Sequence, residues 1–289
     1  MQRRAILDID HLRTWIGREE RMEGHAAPEP LAGLAALLDH RTPPWPAGEV
    51  PPLGHWLYFL PRAAQSDIGE DGHPKRGGFL PPIPLPRRMW AGGSLRFHAP
   101  MRIGAPIERV STIADVVAKS GNSGDMLFVT VDHRISSGDT LLIEERQDIV
   151  YRTPAPPTAG LAPAAAVAAA EPRATDATRG YHADPVALFR FSALTFNSHR
   201  IHYDRDYARD EEGYPGLVVH GPFAATLLAD LWLRTYGGAR MTGFSFRARA
   251  PLFDTAPFTI NLSGGADRAE AWTANEAGQP AMMAQIDGE

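Results

Sequence analysis

The 289-residue sequence contains no cysteine, which excludes disulfides and thiolate-bound zinc. No apolar run is long enough to span a bilayer, because the longest alanine-rich stretch is broken by Pro163. The opening MQRRAILDIDHLRTW lacks the apolar core of a secretory signal. Together these absences lead to the expectation of a cytoplasmic protein without a membrane partner. Lysine is scarce as well: of 29 basic residues, only Lys75 and Lys119 are lysine. With a net charge of −5 and abundant Ala and Pro, the arginines read as compositional bias, not as a nucleic-acid surface. The G-x-S-x-G elbow of serine hydrolases is missing too.

What is present is enough for a normal core, with 44% hydrophobic residues. Residues 153–178, TPAPPTAGLAPAAAVAAAEPRATDAT, hold almost no large apolar side chains and cannot offset their ordering entropy. They are expected to form a linker, with a short helical piece at Ala164–Ala170. The linker separates an N-terminal domain, 1–152, from a C-terminal domain, 179–289.

Each half reads as helix, then strands. In the first, apolar spacing predicts a helix over Pro28–His40, followed by strands at Gly93–Ala99, Ile107–Lys119, Met126–Ile135 and Thr140–Tyr151. In the second, Asp184-Pro185 opens a short helix, and a longer one runs from Pro222 to Tyr236 with apolar residues nearly all round. Strands are predicted at Thr242–Ala250, Pro257–Ser263, Ala266–Ala274 and Ala281–Ile286. A local repeat, APMRIGAPI at 99–107 and APLFDTAPF at 250–258, points to duplication. The expected fold is α+β: a double hotdog, two antiparallel sheets each wrapped around a central helix.

The chemistry concentrates in FSALTFNSHRIHYD and the GYPGLVVHGP that follows. His202 can give or take a proton near neutral pH. His199 either shares that work or fixes the loop. Asn197 can orient a water but cannot act as a base; its alternative is a turn residue satisfying local backbone. Gly221 opens the long helix, where free N–H groups and the helix dipole can hold a developing oxyanion. Metal binding through His199 and His202, with Asp204 or His220, is not expected because no full ligand set is spaced for it. Pro86–Gly93 joins Arg87, Arg88 and Trp90 to a Gly pair and is either an anion clamp or a loop packed by Trp90. Arg247 and Arg249, two apart on a strand, are either a solvated face or anion binders.

These stretches, with PRRMWAGGSLRFHAP, resemble the MaoC-like acyl-thioester hydratases and dehydratases. They are most similar to a two-domain subgroup holding the fungal mitochondrial type 2 hydroxyacyl-thioester dehydratases and bacterial mesaconyl-C4-CoA hydratases. The resemblance implies that Asn197 stands at a position usually aspartate, that His202 is the family histidine, and that Gly221 donates to the thioester carbonyl. It implies reversible addition of water to a 2-enoyl-CoA, with the CoA thioester as substrate and no further cofactor. The first expectation is mesaconyl-C4-CoA going to citramalyl-CoA, with Arg200 holding the free carboxylate and Arg87 and Arg88 reaching the CoA phosphates. The alternatives are a (3R)-hydroxyacyl-thioester dehydratase of fatty-acid synthesis, a non-catalytic acyl-CoA binder, and a thioesterase using Asp230. The partner is a small molecule, and a homodimer is left open.

Overall fold

The computed structural model describes residues 8–121, 124–153 and 173–289. The first half contains α1 (Ile9–Arg13), β1 (Glu19–His25), α2 (Pro28–Leu37), β2 (Arg87–Phe97), β3 (Pro106–Gly121), β4 (Gly124–Ser137) and β5 (Thr140–Arg152). The second contains β6 (Ala177–Tyr181), α3 (Pro185–Thr195), α4 (Gly221–Thr235), β7 (Met241–Ala248), β8 (Phe258–Gly264), β9 (Arg268–Ala274) and β10 (Pro280–Gly288). The expected helical piece at 164–170 and most of the expected linker lie outside the described residues. The linker's end is corrected, because Ala177 pairs with Leu262 and Thr178 with Asn261 in β6.

The expected pair of sheets is one continuous antiparallel sheet of ten strands, ordered β1-β3-β4-β5-β2-β7-β10-β9-β8-β6. β2 and β7 join the halves, from Gly92 opposite Arg247 to Arg96 opposite Gly243. The order is a palindrome about that seam, as duplication requires. The sequence repeat sits at equivalent places, between β2 and β3 and between β7 and β8. Within it, Met101 O accepts from Val50 N at 2.9 Å and Leu252 O accepts from Val219 N at 2.8 Å.

Arg87–Gly93 is therefore not a loop but the start of the central strand β2, kinked by a bulge at Ala91 between Trp90 and Gly92. Its glycines allow close backbone approach: a Cβ on Gly92 would lie 2.6 Å from Phe246 O, and one on Gly93 2.5 Å from Arg146 O.

The two halves differ in their central helix. Phe223 to Leu233 of α4 are all buried, and the helix lies on β6, β8, β9 and β10. Burying a Leu or Phe side chain contributes about 1.5–3 kcal/mol, so this apolar rod anchors the second half. Its counterpart in the first half is not α2, as the repeat reading implied. α2 matches α3: each follows an edge strand, starts with proline and packs on the other, with Leu194 pressed against Gly33. The true counterpart of α4 is a single 3-10 turn, Gly54–Leu57, preceded by Leu53 in the left-handed region at φ 66°. Leu12, Ile83 and Leu85 fill a separate small core with Ile113, Leu127 and Val129. No helix of the described residues is long and apolar enough to cross a membrane.

Candidate active site

The loop between α3 and α4 places the candidate histidines. Asp184 caps α3 through Ala187 N at 2.8 Å, and Phe196 ends the helix in a left-handed turn. Asn197 Oδ1 then accepts from His199 N at 2.9 Å, closing a short turn into the 3-10 segment Arg200–His202. The amide oxygen proposed to orient water is thus used by the backbone, which is the structural alternative weighed for Asn197. Its side chain still borders the cavity.

His202 is buried, and its Nδ1 lies 2.7 Å from Val218 O. A carbonyl only accepts, so Nδ1 carries the proton and Nε2 is left as a base. Burial holds His202 down to about 4, against a smaller upward push from the Val218 carbonyl. Its ring stacks on His220, centroids 3.6 Å apart. His220 caps α4 and is fixed in turn by Ser192 Oγ, 2.8 Å from its Nε2. Burial, then the neighbouring imidazoles, keeps His220 well below the ordinary histidine value.

Gly221 is the first residue of α4, where the backbone N–H has no intrahelical acceptor. A Cβ there would meet only Trp90 O at 3.8 Å and Met282 Cε at 4.0 Å. Protein packing alone does not demand glycine; the space over it is open. Gly221, His202 and His199 border one cavity of about 470 Å³, together with Arg88, Trp90 and Asn197. A second cavity of about 480 Å³ shares the wall formed by His73, Arg88, Trp90 and Asn197, and extends over Trp56, Tyr58 and Phe59.

The arginine expectations fare unevenly. Arg200 is turned away from both cavities, its guanidinium bound to Asp204 at 2.7 and 3.0 Å and stacked over Tyr207, so its assignment to a substrate carboxylate is corrected. Arg87 borders the cavity but is paired with Glu212 at 3.0 Å. Arg88 borders both cavities beside Tyr151, and no carboxylate among the described residues forms an ion pair with it. Arg249 is exposed at the cavity rim just past the end of β7, whereas Arg247 is exposed on β7 away from it. Asp230, the thioesterase candidate, borders neither cavity and is held by His40, Arg179 and Arg234.

Sequence reasoning missed one pair. Asp71 and His73, from the long passage before β2, also border the cavity. Asp71 Oδ2 lies 3.0 Å from His73 Nδ1, and the His73 ring lies 4.0 Å from that of His199. The only signal was local: in GEDGHP an acid stands two residues before a histidine, a spacing that permits this pairing. Asp71, His73 and His199 offer three ligand atoms within 4.8 Å of one another, a set different from the one weighed from sequence. The Asp71–His73 hydrogen bond and the overlapping rings suit an acid–imidazole pair better than lone pairs converging on one ion.

Residues 53–254 match the family model for hydroxyacyl-thioester dehydratase type 2. The chain is 49% identical, over 94% of its length and 96% of the relative's, to mesaconyl-C(4)-CoA hydratase of Chloroflexus aurantiacus. This chain belongs to the type 2 hydroxyacyl-thioester dehydratase family. A family member from Schizosaccharomyces pombe, the mitochondrial type 2 hydroxyacyl-thioester dehydratase, is 27% identical over 72% of the chain and 76% of its own. Among solved structures, a MaoC-like dehydratase from Phytophthora capsici shares the fold at TM-score 0.71 and 10% identity, covering 98% of each chain. A double-hotdog protein from Mycobacterium tuberculosis does so at TM-score 0.57 and 12% identity, covering 97% of each.

Gly221 lies two residues after Val219; two residues after the matched Val50 stands Pro52, which has no N–H. Position 52 of the first half therefore has no backbone donor, and that half has no match to the candidate histidine loop. Its short 3-10 turn leaves the room that the second cavity occupies.

Proposed function

We propose that this protein is a hydro-lyase that adds water reversibly to a 2-enoyl-CoA, and that its substrate is mesaconyl-C4-CoA, hydrated to citramalyl-CoA. The observation carrying the reading is that His202, its Nδ1 bonded to the Val218 carbonyl, borders the same cavity as Gly221 at the N-terminus of α4. The thioester carbonyl lies on the Gly221 N–H. His202 Nε2 takes a proton as the water oxygen bonds to C3. The π electrons move to the thioester oxygen, where the helix N-terminus stabilises the charge. His202 then returns the proton to C2, leaving a 3-hydroxyacyl thioester. Dehydration is the same path reversed.

The substrate reading draws on the full-length similarity to a protein of that name and on Arg88. Mesaconyl-C4-CoA carries its free carboxylate on C3, the carbon that water attacks, and Arg88 borders both cavities with no ion pair to a carboxylate among the described residues. Arg249 at the rim suits the CoA phosphates. The second cavity, walled by Trp56, Tyr58 and Phe59, favours one competing reading, a dehydratase for longer plain acyl chains.

The test is purified protein against a panel of mesaconyl-C4-, crotonyl- and longer enoyl-CoAs, read by mass spectrometry for gain of water. His202→Ala is expected to lose on the order of 10²-fold or more in turnover. Near-wild-type hydration by a folded variant would refute the assignment.

A further inference from the structure

Resting on the hydratase reading, we propose that His73, oriented by Asp71, is a second catalytic residue that holds the attacking water. The two halves differ most between their central helix and the next strand. In the second half this link is residues 236–240; in the first it is residues 58–86. That extra segment folds across the seam onto the catalytic loop of the other half. Arg200 N donates to Asp71 O at 2.9 Å, Ser198 Oγ donates to Gly72 O, and Arg200 Nη1 donates to Glu70 O at 3.2 Å. Contact is so close that a Cβ on Gly72, which has φ +88°, would collide with Ser198 O. The segment is thus built to dock there, and what it delivers is an aspartate–histidine pair.

Asp71 fixes His73 twice. Its Oδ1 accepts from His73 N at 2.9 Å and its Oδ2 from His73 Nδ1 at 3.0 Å. With the proton on Nδ1, Nε2 is an acceptor, and no hydrogen bond among the described residues reaches it. His73 borders both cavities, its ring lies 4.0 Å from that of His199, and the His199 ring lies 5.4 Å from that of His202 between centroids. Burial would raise the Asp71 carboxyl, but its bonds to His73 outweigh this and hold it well below the usual carboxylate range. It therefore stays an anion able to fix the tautomer. Asn197 has its amide oxygen already bonded to His199 N, and an amide cannot act as a base. In the hydration step one water O–H gives its proton to His202 Nε2, while the other is held by His73 Nε2 and remains as the product hydroxyl.

Asp71→Asn keeps the shape but reverses the hydrogen bond, forcing the proton onto Nε2. Both it and His73→Ala are expected to lose on the order of 10²-fold in kcat, with CoA-ester binding by calorimetry unchanged. The double variant loses no more than the worse single one, and added imidazole restores part of His73→Ala turnover. Independently of turnover, NMR of labelled wild type is expected to show a His73 Nδ1 proton that Asp71→Asn removes. Active wild type with indifferent variants, or no such proton, overturns this inference alone; wild type inert toward every enoyl-CoA overturns the hydratase reading with it. Turnover lost on chelation and restored by zinc would make Asp71, His73 and His199 a metal site and overturn the water-holding role.

Discussion

At the scale of single residues, the decisive fact is where His202 keeps its proton. The Val218 carbonyl claims Nδ1, and burial prevents Nε2 from charging until about pH 4. A base must be neutral to act, so on the role proposed for His202 activity is lost as pH falls through that folded value. The pH profile of kcat/KM, corrected for folded fraction, is expected to stay flat from pH 8 to pH 5. An acid limb at the ordinary histidine value of about 6.5 would contradict the buried tautomer. Arg88 invites a second measurement. Arg88→Met is expected to lower kcat/KM on mesaconyl-C4-CoA by about 10–100-fold, the worth of one charged hydrogen bond, and to leave crotonyl-CoA nearly unchanged. Equal losses on both would remove the carboxylate argument. The meeting of His202 and Gly221 at one cavity was legible in sequence because the candidate loop and the helix start lie within one short segment. Arg200 misled because sequence cannot show that Asp204, one turn on, takes its guanidinium. Asp71 and His73 were hidden because some 125 residues separate them from the loop they touch.

At the scale of elements, α4 was plain from its nearly encircling apolar pattern, and its N-terminus can be tested by itself. Gly221→Ala keeps the N–H, and the open space accepts a methyl group. Gly221→Pro removes the donor at a helix position where proline is tolerated. The proline variant is expected to fold and to lose about 10²–10³-fold in kcat, while alanine stays close to wild type wherever the acyl group clears the methyl. Equal turnover in the proline variant would show that the helix start does not carry the oxyanion. β1 and β6 escaped prediction for a physical reason. Both are sheet edges, and EERMEGH and ATRGY carry the charged and small residues that discourage further pairing. The central strand β2 was read too short because its Gly pair resembles a turn when the approach of Phe246 and Arg146 is unseen.

At the scale of the whole molecule, four buried imidazoles, His133, His199, His202 and His220, and the half-buried His73 are all shifted downward, chiefly by desolvation. Unfolded, they bind protons near pH 6.5; folded, they do not. Their contribution to stability is complete above that pH and is lost as pH falls toward the folded values, about 1.4 kcal/mol per pH unit for each group still resisting protonation. Tm is therefore expected to hold at neutral pH and to fall steeply between pH 6.5 and 5. The low-shifted carboxyls of Asp71 and Glu145 act only below their ordinary range, so they do not blur that window. A level Tm across it would show that these rings are hydrated.

The seam between β2 and β7 has a kinetic consequence. A reaction centre assembled from separate subunits is lost on dilution, and its rate per milligram declines with it. Here the strand that completes the neighbour's sheet belongs to the same polypeptide, so specific activity should remain constant down to the most dilute assay that retains folded enzyme.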